Sequence, residues 1–281
     1  MDRAPNDVVS ARISAANVFR TAEYRRILGI QFFPGGAREA VQRMRSGGLL
    51  VAPAAPGLST LAVDKAYREA LLEADVAIVD SALMAMLWNL FEGDNLGRLS
   101  GLEYFSQLVK DAEFRSAGSA LYVMASAESA RKNVAWLISQ GIPVSEDQIY
   151  IAPRYGEEVI DPELLSRVVE LRPRHVVVTV GGGVQERLGL YLKRSLDYAP
   201  AIHCIGAAIA FRSGDQVRIP QVADRLALGW FLRCVWRPRI YVPRYWAARK
   251  LVWLLYRYRT ELPPMRRSSR ARETESSTSV A

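Results

Sequence analysis

The hydrophobic positions of the chain form short continuous runs that alternate with longer stretches in which apolar residues recur at helical spacing. Short runs rich in β-branched residues are typical of strands buried on both faces. We predict strands at residues 26–33, 49–53, 76–80, 120–125, 148–152, 176–180 and 201–205. We predict helices at residues 36–46, 61–74, 81–91, 101–111, 127–140 and 162–171, and after residue 183. This alternation predicts an α/β fold with a Rossmann-like, doubly wound, mostly parallel sheet.

The pattern changes after residue 214. Residues 222–236 and 241–258 predict helices rich in aromatic and basic residues, and Pro238 and Pro243 are expected to break the run between them. The last residues are rich in Ser, Thr, Arg and Glu, a composition typical of disorder. We therefore divide the chain into a flexible leader (1–25), an α/β core (26–216), a helical appendage (217–259) and a disordered tail (260–281).

One predicted strand leads into three consecutive glycines, Gly181, Gly182 and Gly183, and then into a helix. In a parallel sheet this order brings free backbone N–H groups to the carboxyl edge, where a helix start favours anions such as a diphosphate. Gln185 and Glu186 follow in the first helical turn, with side chains that can hydrogen-bond a sugar or ribose. The alternative is a tight turn without a ligand, and the spacing is not that of the dinucleotide-binding fingerprint.

Asp80 ends a predicted strand at the same edge. A carboxylate in that place can act as a general base toward a hydroxyl nucleophile. The alternative is a helix cap, because Asp80 and Ser81 precede a predicted helix and Asp caps well. Spacing alone favours the cap.

The net charge of +8 is concentrated near the end of the chain. Residues 218–259 hold ten Arg or Lys and one acid, so the rest of the chain is close to neutral. Nine aromatic residues are interleaved with these charges, and Trp or Tyr beside Arg favours an anionic membrane surface. The alternatives are a packed helical pair with a solvated basic face, or nucleic acid, which we discount because no nucleic-acid-binding motif is present.

Composition narrows the setting further. The two cysteines, Cys204 and Cys234, give no disulfide framework, which fits a reducing cytoplasm. His175 and His203 fall in or beside predicted strands, and no Cys/His/Asp cluster has metal-ligand spacing. The sequence shows neither a signal peptide nor an apolar run of the roughly 20 residues that span a bilayer. We expect a cytoplasmic protein without a metal.

Eight short segments, in order, resemble motifs of the WecG/TagA/CpsF glycosyltransferases, glycosyltransferase family 26. The resemblance covers roughly residues 26–258. The segments are IVDS at 78–81, RLSG at 98–101, GGGVQE at 181–186, CIGA at 204–207, FRSG at 211–214, RIP at 218–220, LGWFLR at 228–233 and RPR at 237–239.

The resemblance implies an inverting, metal-independent transferase on the cytoplasmic face of the membrane, in bacterial surface or exopolysaccharide biosynthesis. It would move an N-acetylmannosamine-like sugar or related hexose from a UDP-sugar to a polyprenyl-diphosphate-linked acceptor. Asp80 would be the general base. A homo-oligomer is left open. The residues implied to bind substrate are Gly181, Gly182, Gly183, Gln185, Glu186, Arg98, Gly101, Gly206, Arg218, Arg225 and Arg233.

The chain departs from the family pattern near Asp80. Ala52, Pro53 and Ala54 stand where the family has Thr-Pro-Asn, so two side-chain hydrogen-bonding groups are missing. Gly229 replaces a family Glu, and Val184 replaces the usual Lys. These changes leave a second hypothesis, a catalytically degenerate relative that binds lipid-linked glycan or partners in a polysaccharide assembly. A nicotinamide-dependent oxidoreductase is disfavoured because its glycine spacing is absent.

Overall fold

The computed structural model describes residues 24–215 and 229–266. The first of these ranges forms an eight-stranded sheet in the order β1–β2–β4–β3–β8–β7–β5–β6. β1 is antiparallel to β2, and all other neighbours are parallel. The strands are β1 (Arg25–Ile27), β2 (Ile30–Phe32), β3 (Gly48–Val51), β4 (Val76–Ala77), β5 (Ala120–Met124), β6 (Ile149–Ile151), β7 (His175–Val178) and β8 (Ala201–Cys204). The predicted mostly parallel α/β sheet is confirmed.

The helices lie on both faces of this sheet. Those before residue 216 are α1 (Ala37–Met44), α2 (Ala55–Leu58), α3 (Lys65–Leu72), α4 (Ala82–Glu92), α5 (Gly101–Leu108), α6 (Ala127–Ser139), α7 (Pro162–Leu171), α8 (Val184–Ser195) and α9 (Ala208–Ser213). A single 3₁₀ turn, Glu146–Gln148, precedes β6. Those after residue 228 are α10 (Gly229–Trp236), α11 (Pro238–Ala247) and α12 (Lys250–Tyr258).

Each strand divides its side chains between two buried layers. Leu49 and Val51 of β3 join the layer that contains α3, α4, α7, α8 and α12, whereas Leu50 joins the layer of α1, α5, α6 and α9. This alternation follows from the two-residue side-chain period of a strand. Because both faces are covered, the carboxyl edge of the strands is left as the place where loops can form a site.

The single strand predicted over residues 26–33 is wrong, since this segment is a hairpin. Leu28 and Gly29 turn the chain with φ of 50° and 80°. Their N–H groups donate to the carbonyl oxygens of Arg259 (2.7 Å) and Thr260 (3.0 Å). These long-range contacts favour a turn that the hydrophobic run does not reveal. The short helix α2 was likewise not predicted, because Ala-Pro-Gly-Leu resembles a loop.

The last helix packs on the core through one face. Leu251, Leu254 and Leu255 of α12 are buried in the same layer as α4. Pro243 was expected to interrupt the helical run, but this residue lies inside α11. The predicted disordered tail begins later than residue 260, because residues 260–266 pack on the core and the Arg266 N–H donates to the Ala62 carbonyl at 2.8 Å. The leader before Tyr24 and the tail after Arg266 lie outside the described residues.

Three buried polar side chains cross the α5 side of the sheet in a hydrogen-bonded row. The Tyr104 hydroxyl lies 2.9 Å from His203 Nδ1, and His203 Nε2 lies 3.1 Å from His175 Nδ1. Within the described residues, His175 Nε2 has no hydrogen-bond partner. Burial lowers the pKa of His175 to about 4 and that of His203 well below its ordinary value. Both imidazoles are therefore neutral in the folded protein at pH 7.

We expect acid to destabilise the fold through these two histidines. Below about pH 6.5 the unfolded chain binds their protons while the folded chain does not, so stability is lost as pH falls from there toward pH 4. Glu186 offsets the effect of one histidine on stability. Burial raises the pKa of Glu186 to about 7, so as the pH falls the folded chain binds a proton at Glu186 before the unfolded chain does. The unfolded chain then binds about one proton more than the folded chain. The free energy of unfolding should therefore fall by about 2 kcal/mol between pH 6.5 and pH 5.

Urea unfolding at pH 6.5 and pH 5 measures this loss. In the Glu186→Gln variant the opposing titration is absent, so the loss over the same interval should be steeper. A free energy of unfolding that stays constant or rises as the pH falls to 5 would contradict the prediction.

Candidate active site

The predicted site residues meet at the carboxyl edge of the sheet. Asp80 follows β4, the glycine turn of residues 181–183 follows β7, and Gly206 follows β8. In the sheet, β3 and β8 separate β4 from β7. Neighbouring strands lie about 4.8 Å apart, so Asp80 and the glycine turn stand on the order of 14 Å apart at strand level.

Asp80 is held by the start of α5 rather than by α4. Its Oδ1 accepts a hydrogen bond from the Gly101 N–H at 2.9 Å, and the Arg98 Nε donates to its carbonyl oxygen at 3.0 Å. The cap of α4 is Ser81, whose hydroxyl oxygen accepts from the Met84 N–H at 3.2 Å. The interpretation of Asp80 as the cap of the following helix is therefore wrong. The half-buried carboxylate remains at the sheet edge in a fixed orientation.

The glycine turn presents bare backbone to solvent. Gly181 and Gly183 have φ of 105° and 91°, a region that side chains disfavour. A Cβ added at Gly181, Gly182 or Gly183 would meet nothing within 4 Å. The turn is thus not closed by packing against the protein, and helix α8 begins directly after it. The Gly183 N–H donates to Glu186, whereas the N–H groups of Gly181 and Gly182, just before a twelve-residue helix, suit an anionic group.

Gln185 and Glu186 are almost fully buried, and their side chains join the two loops of the site. Gln185 Oε1 accepts from the Gly206 N–H at 3.0 Å, and its Nε2 donates to Glu186 Oε1 at 3.1 Å. Glu186 Oε2 accepts from the Gly183 N–H at 2.6 Å. In this arrangement the two side chains fix the backbone that would contact a ligand. Direct binding of a sugar by Gln185 and Glu186 stays a prediction.

The buried Glu186 carboxyl changes its protonation near neutral pH. Burial raises its pKa to about 7, against the opposing effect of the hydrogen bonds from Gln185 and Gly183. When ionised it accepts hydrogen bonds at both oxygens, as the geometry requires.

Gly101 allows the two halves of the site to approach each other. A Cβ at this position would lie 3.0 Å from the Ile205 carbonyl oxygen and 3.7 Å from the Ala52 methyl group. Asp80, Arg98 and Gly101 form one group, and through this contact they adjoin the loop of Gly206. The structure thus brings together all the predicted site residues before residue 216. Arg218 and Arg225 lie outside the described residues, and Arg233 belongs to α10.

A cleft that no sequence pattern predicts lies beside the glycine turn. It has a volume of about 160 Å³ and lies between α6 and α9, and we call it the α6–α9 cleft. Its polar lining residues are Ser126, Ser129, Asn133, Thr179 and Asp215, and Gly181 and Gly206 form its border with the turn. The available signal was the position of Ser126 just after a predicted strand at the same edge, whereas Thr179 lies within the strand predicted over residues 176–180. Asp215 carried no such signal.

Across residues 24–215 and 229–266, no cluster of three His, Cys, Asp or Glu side chains could hold a metal ion. None of the helices in these ranges is long and apolar enough to cross a membrane.

A second surface exposes aromatic side chains next to cations, and we call it the aromatic–basic surface. Trp246, Trp253 and Tyr256 are 69%, 48% and 63% exposed. The Arg249 guanidinium lies 4.7 Å from the Trp246 ring, and that of Arg266 lies 5.7 Å from the Trp253 ring. Large exposed aromatic groups beside arginines are typical of a surface that meets the membrane interface.

Comparison with known proteins gives the family. No curated protein sequence matches the chain. The model of the glycosyl transferase WecG/TagA/CpsF family matches residues 25–264, and the chain therefore belongs to this family of glycosyltransferases.

Proposed function

We propose that the protein transfers a sugar from a UDP-sugar to a polyprenyl-diphosphate-linked acceptor, with inversion, in the synthesis of a bacterial surface or exopolysaccharide. The observation that carries this proposal is the Asp80 carboxylate, which the Gly101 N–H holds at 2.9 Å on the same sheet edge as the open glycine turn. A base and an anion-binding turn on one edge are what transfer from a sugar diphosphate requires.

The reaction follows from this placement. The acceptor hydroxyl attacks the anomeric carbon from the face opposite the nucleotide, and the bond from that carbon to the diphosphate oxygen breaks. The hydroxyl proton passes to the Asp80 carboxylate. The backbone N–H groups of the glycine turn and the start of α8 stabilise the charge that develops on the leaving UDP. This chemistry uses side chains and backbone of the chain alone.

The aromatic–basic surface supports attachment to the cytoplasmic leaflet. Lipid-linked acceptors lie in the membrane, so the enzyme must approach them there. Exposed Trp and Tyr rings enter the interface, and each nearby Lys or Arg adds about 1 kcal/mol of attraction to anionic lipid.

A non-catalytic relative that binds lipid-linked glycan is the second candidate. It is favoured by Ala52 and Ala54, which bring no polar side chain to the loop after β3. The Ala52 methyl group is buried beside Gly101, and Ala54 starts α2 without a side-chain cap. Turnover of a UDP-sugar with a lipid-linked acceptor distinguishes the two functions.

Replacing Asp80 by Asn should abolish transfer while preserving UDP binding. The amide oxygen can still accept from the Gly101 N–H, so the loops keep their geometry, but the amide takes up no proton. The transfer rate should fall by about 10²- to 10⁴-fold. Steady-state rates with a lipid-linked acceptor and calorimetric titration with UDP measure the two effects. Transfer at the parent rate would remove Asp80 from the mechanism.

Replacing Gly182 by Val should weaken UDP binding on the order of tenfold or more, because a branched side chain would occupy the space that the diphosphate approaches. Gly182 lacks a positive φ and its surroundings are open, so the fold should tolerate the change. Gly156→Val is a matched control, because Gly156 is equally open and lies in another loop. Equal UDP affinity in the two folded variants would mean that the turn binds no diphosphate.

Replacing Trp246 and Trp253 together by Ala should reduce sedimentation with phosphatidylglycerol vesicles and transfer to a lipid-linked acceptor. Binding of the parent should weaken with salt without vanishing, because burial of aromatic rings is not screened. Point variants are preferable to truncation, since α12 also buries core leucines. Ile138→Ala, at an exposed position on α6, is the control. If the double variant binds vesicles as well as the parent does, the aromatic–basic surface does not bind the membrane.

A further inference from the structure

Tyr67 brings a phenol to the carboxyl edge of the sheet. Because α3 connects the parallel strands β3 and β4, its first turn stands at that edge. Tyr67 lies in this turn and is only 2% exposed. Gly101 holds Asp80 from the layer of α5, whereas Tyr67 belongs to the other buried layer. The edge is thus approached from both faces of the sheet.

Helices α3 and α8 pack side by side and run in the same direction, since each follows a parallel strand. The Lys193 ammonium donates to the Glu73 carbonyl oxygen at 2.7 Å, so the ends of the two helices are level. With a rise of about 1.5 Å per residue, Tyr67 lies about 9 Å before Glu73, and Glu186 lies about 10 Å before Lys193. Tyr67 is therefore level with the first turn of α8.

The Tyr67 hydroxyl has no hydrogen-bond partner within residues 24–215 and 229–266. In these ranges His175 Nε2 is the only completely buried side-chain polar atom that lacks a partner, so the Tyr67 hydroxyl is not sealed off, although its ring is. Gly57 of α2 makes room for it, because a Cβ there would collide with the hydroxyl oxygen. A donor of this kind gains a hydrogen bond when a ligand arrives.

The groups that surround the hydroxyl belong to the candidate active site. Burial raises the pKa of Tyr67 well above its ordinary value, and the charges of Glu186, Asp64 and Asp80 raise it further. Such charges act over short distances. The neutral phenol therefore lies near both the proposed base and the residue that holds the glycine turn. In the proposed reaction, the transferred sugar occupies the space between those two groups.

We propose that the Tyr67 hydroxyl donates a hydrogen bond to an oxygen of the transferred sugar and so contributes to the choice of donor. This inference rests on the proposed function. A neutral phenol suits a sugar hydroxyl or the carbonyl oxygen of an acetamido group. The loop after β3 brings Ala52, Pro53 and Ala54 to the same edge, none of which has a side-chain donor. Tyr67 supplies the donor from the next helix.

Replacing Tyr67 by Phe removes the hydroxyl and keeps the ring in the core. We would titrate the full chain calorimetrically with UDP, UDP-glucose, UDP-N-acetylglucosamine and UDP-N-acetylmannosamine, and compare variants on the UDP-sugar that the parent binds best. Affinity for that UDP-sugar should fall about fivefold to tenfold in Tyr67→Phe, because one hydrogen bond is lost. Affinity for UDP, which has no sugar beyond the diphosphate, should not change.

Tyr122→Phe is the matched control. Tyr122 is 1% exposed in the other buried layer, and its hydroxyl also has no partner in the described ranges. Burial alone raises the pKa of Tyr122, which indicates that no site carboxyl is near it. Its variant should bind UDP and the UDP-sugar as the parent does. If Tyr67→Phe fails to fold, Gly57→Ala, which displaces the hydroxyl, decides by the same comparison.

Two results would overturn the role of Tyr67. One is an unchanged affinity of Tyr67→Phe for the UDP-sugar. The other is an equal loss for UDP and the UDP-sugar, which would place the effect at the glycine turn. A parent chain that binds no UDP-sugar refutes the proposed function itself. If the parent binds a UDP-sugar and Gly182→Val weakens that binding while Tyr67→Phe does not, only the inference about Tyr67 fails.

Discussion

The site depends on the hydrogen-bonded pair of Gln185 and Glu186. Neither side chain is exposed, and together they join the Gly206 N–H of one loop to the Gly183 N–H of another. Gly181, Gly183 and Gly206 have positive φ and little packing of their own, so without these bonds the backbone would be free to adopt many shapes. A buried carboxylate is costly unless it is hydrogen-bonded. The raised pKa of Glu186 shows that the cost of burial exceeds the stabilisation that its hydrogen bonds give to the ionised form.

The sequence allowed good prediction where one physical signal dominated. The β-branched run before Gly181 and the helical spacing after it fixed β7, the turn and α8, and Asp80 at a strand end was recognised as a candidate base. Prediction failed where distant contacts decide. The turn at Leu28 is held by carbonyls more than 230 residues away in the chain. The Asp215 carboxylate accepts a hydrogen bond from Ser129, 86 residues earlier in the chain, and the sequence does not reveal this contact. The aromatic and basic residues of α12 favoured a membrane surface, and the alternative of a helix packed on the core with a solvated basic face accounts for its buried leucines.

That dual character of α12 couples the aromatic–basic surface to the candidate active site. Its leucines pack in the layer of α4, the Tyr256 ring contacts Phe91 at 6.0 Å, and Arg259 pairs with Glu92 at 2.5 Å. α4 begins directly after Asp80, and its eleven residues span roughly 16 Å. One rigid helix thus runs from the proposed base to the element that carries Trp253 and Tyr256. If this face rests on the leaflet, Asp80 stands at a set height above it, within the reach of a sugar on a lipid diphosphate. A flexible appendage could bind the membrane equally well, but it would not set that distance, and the packing of α12 on α4 supplies the constraint.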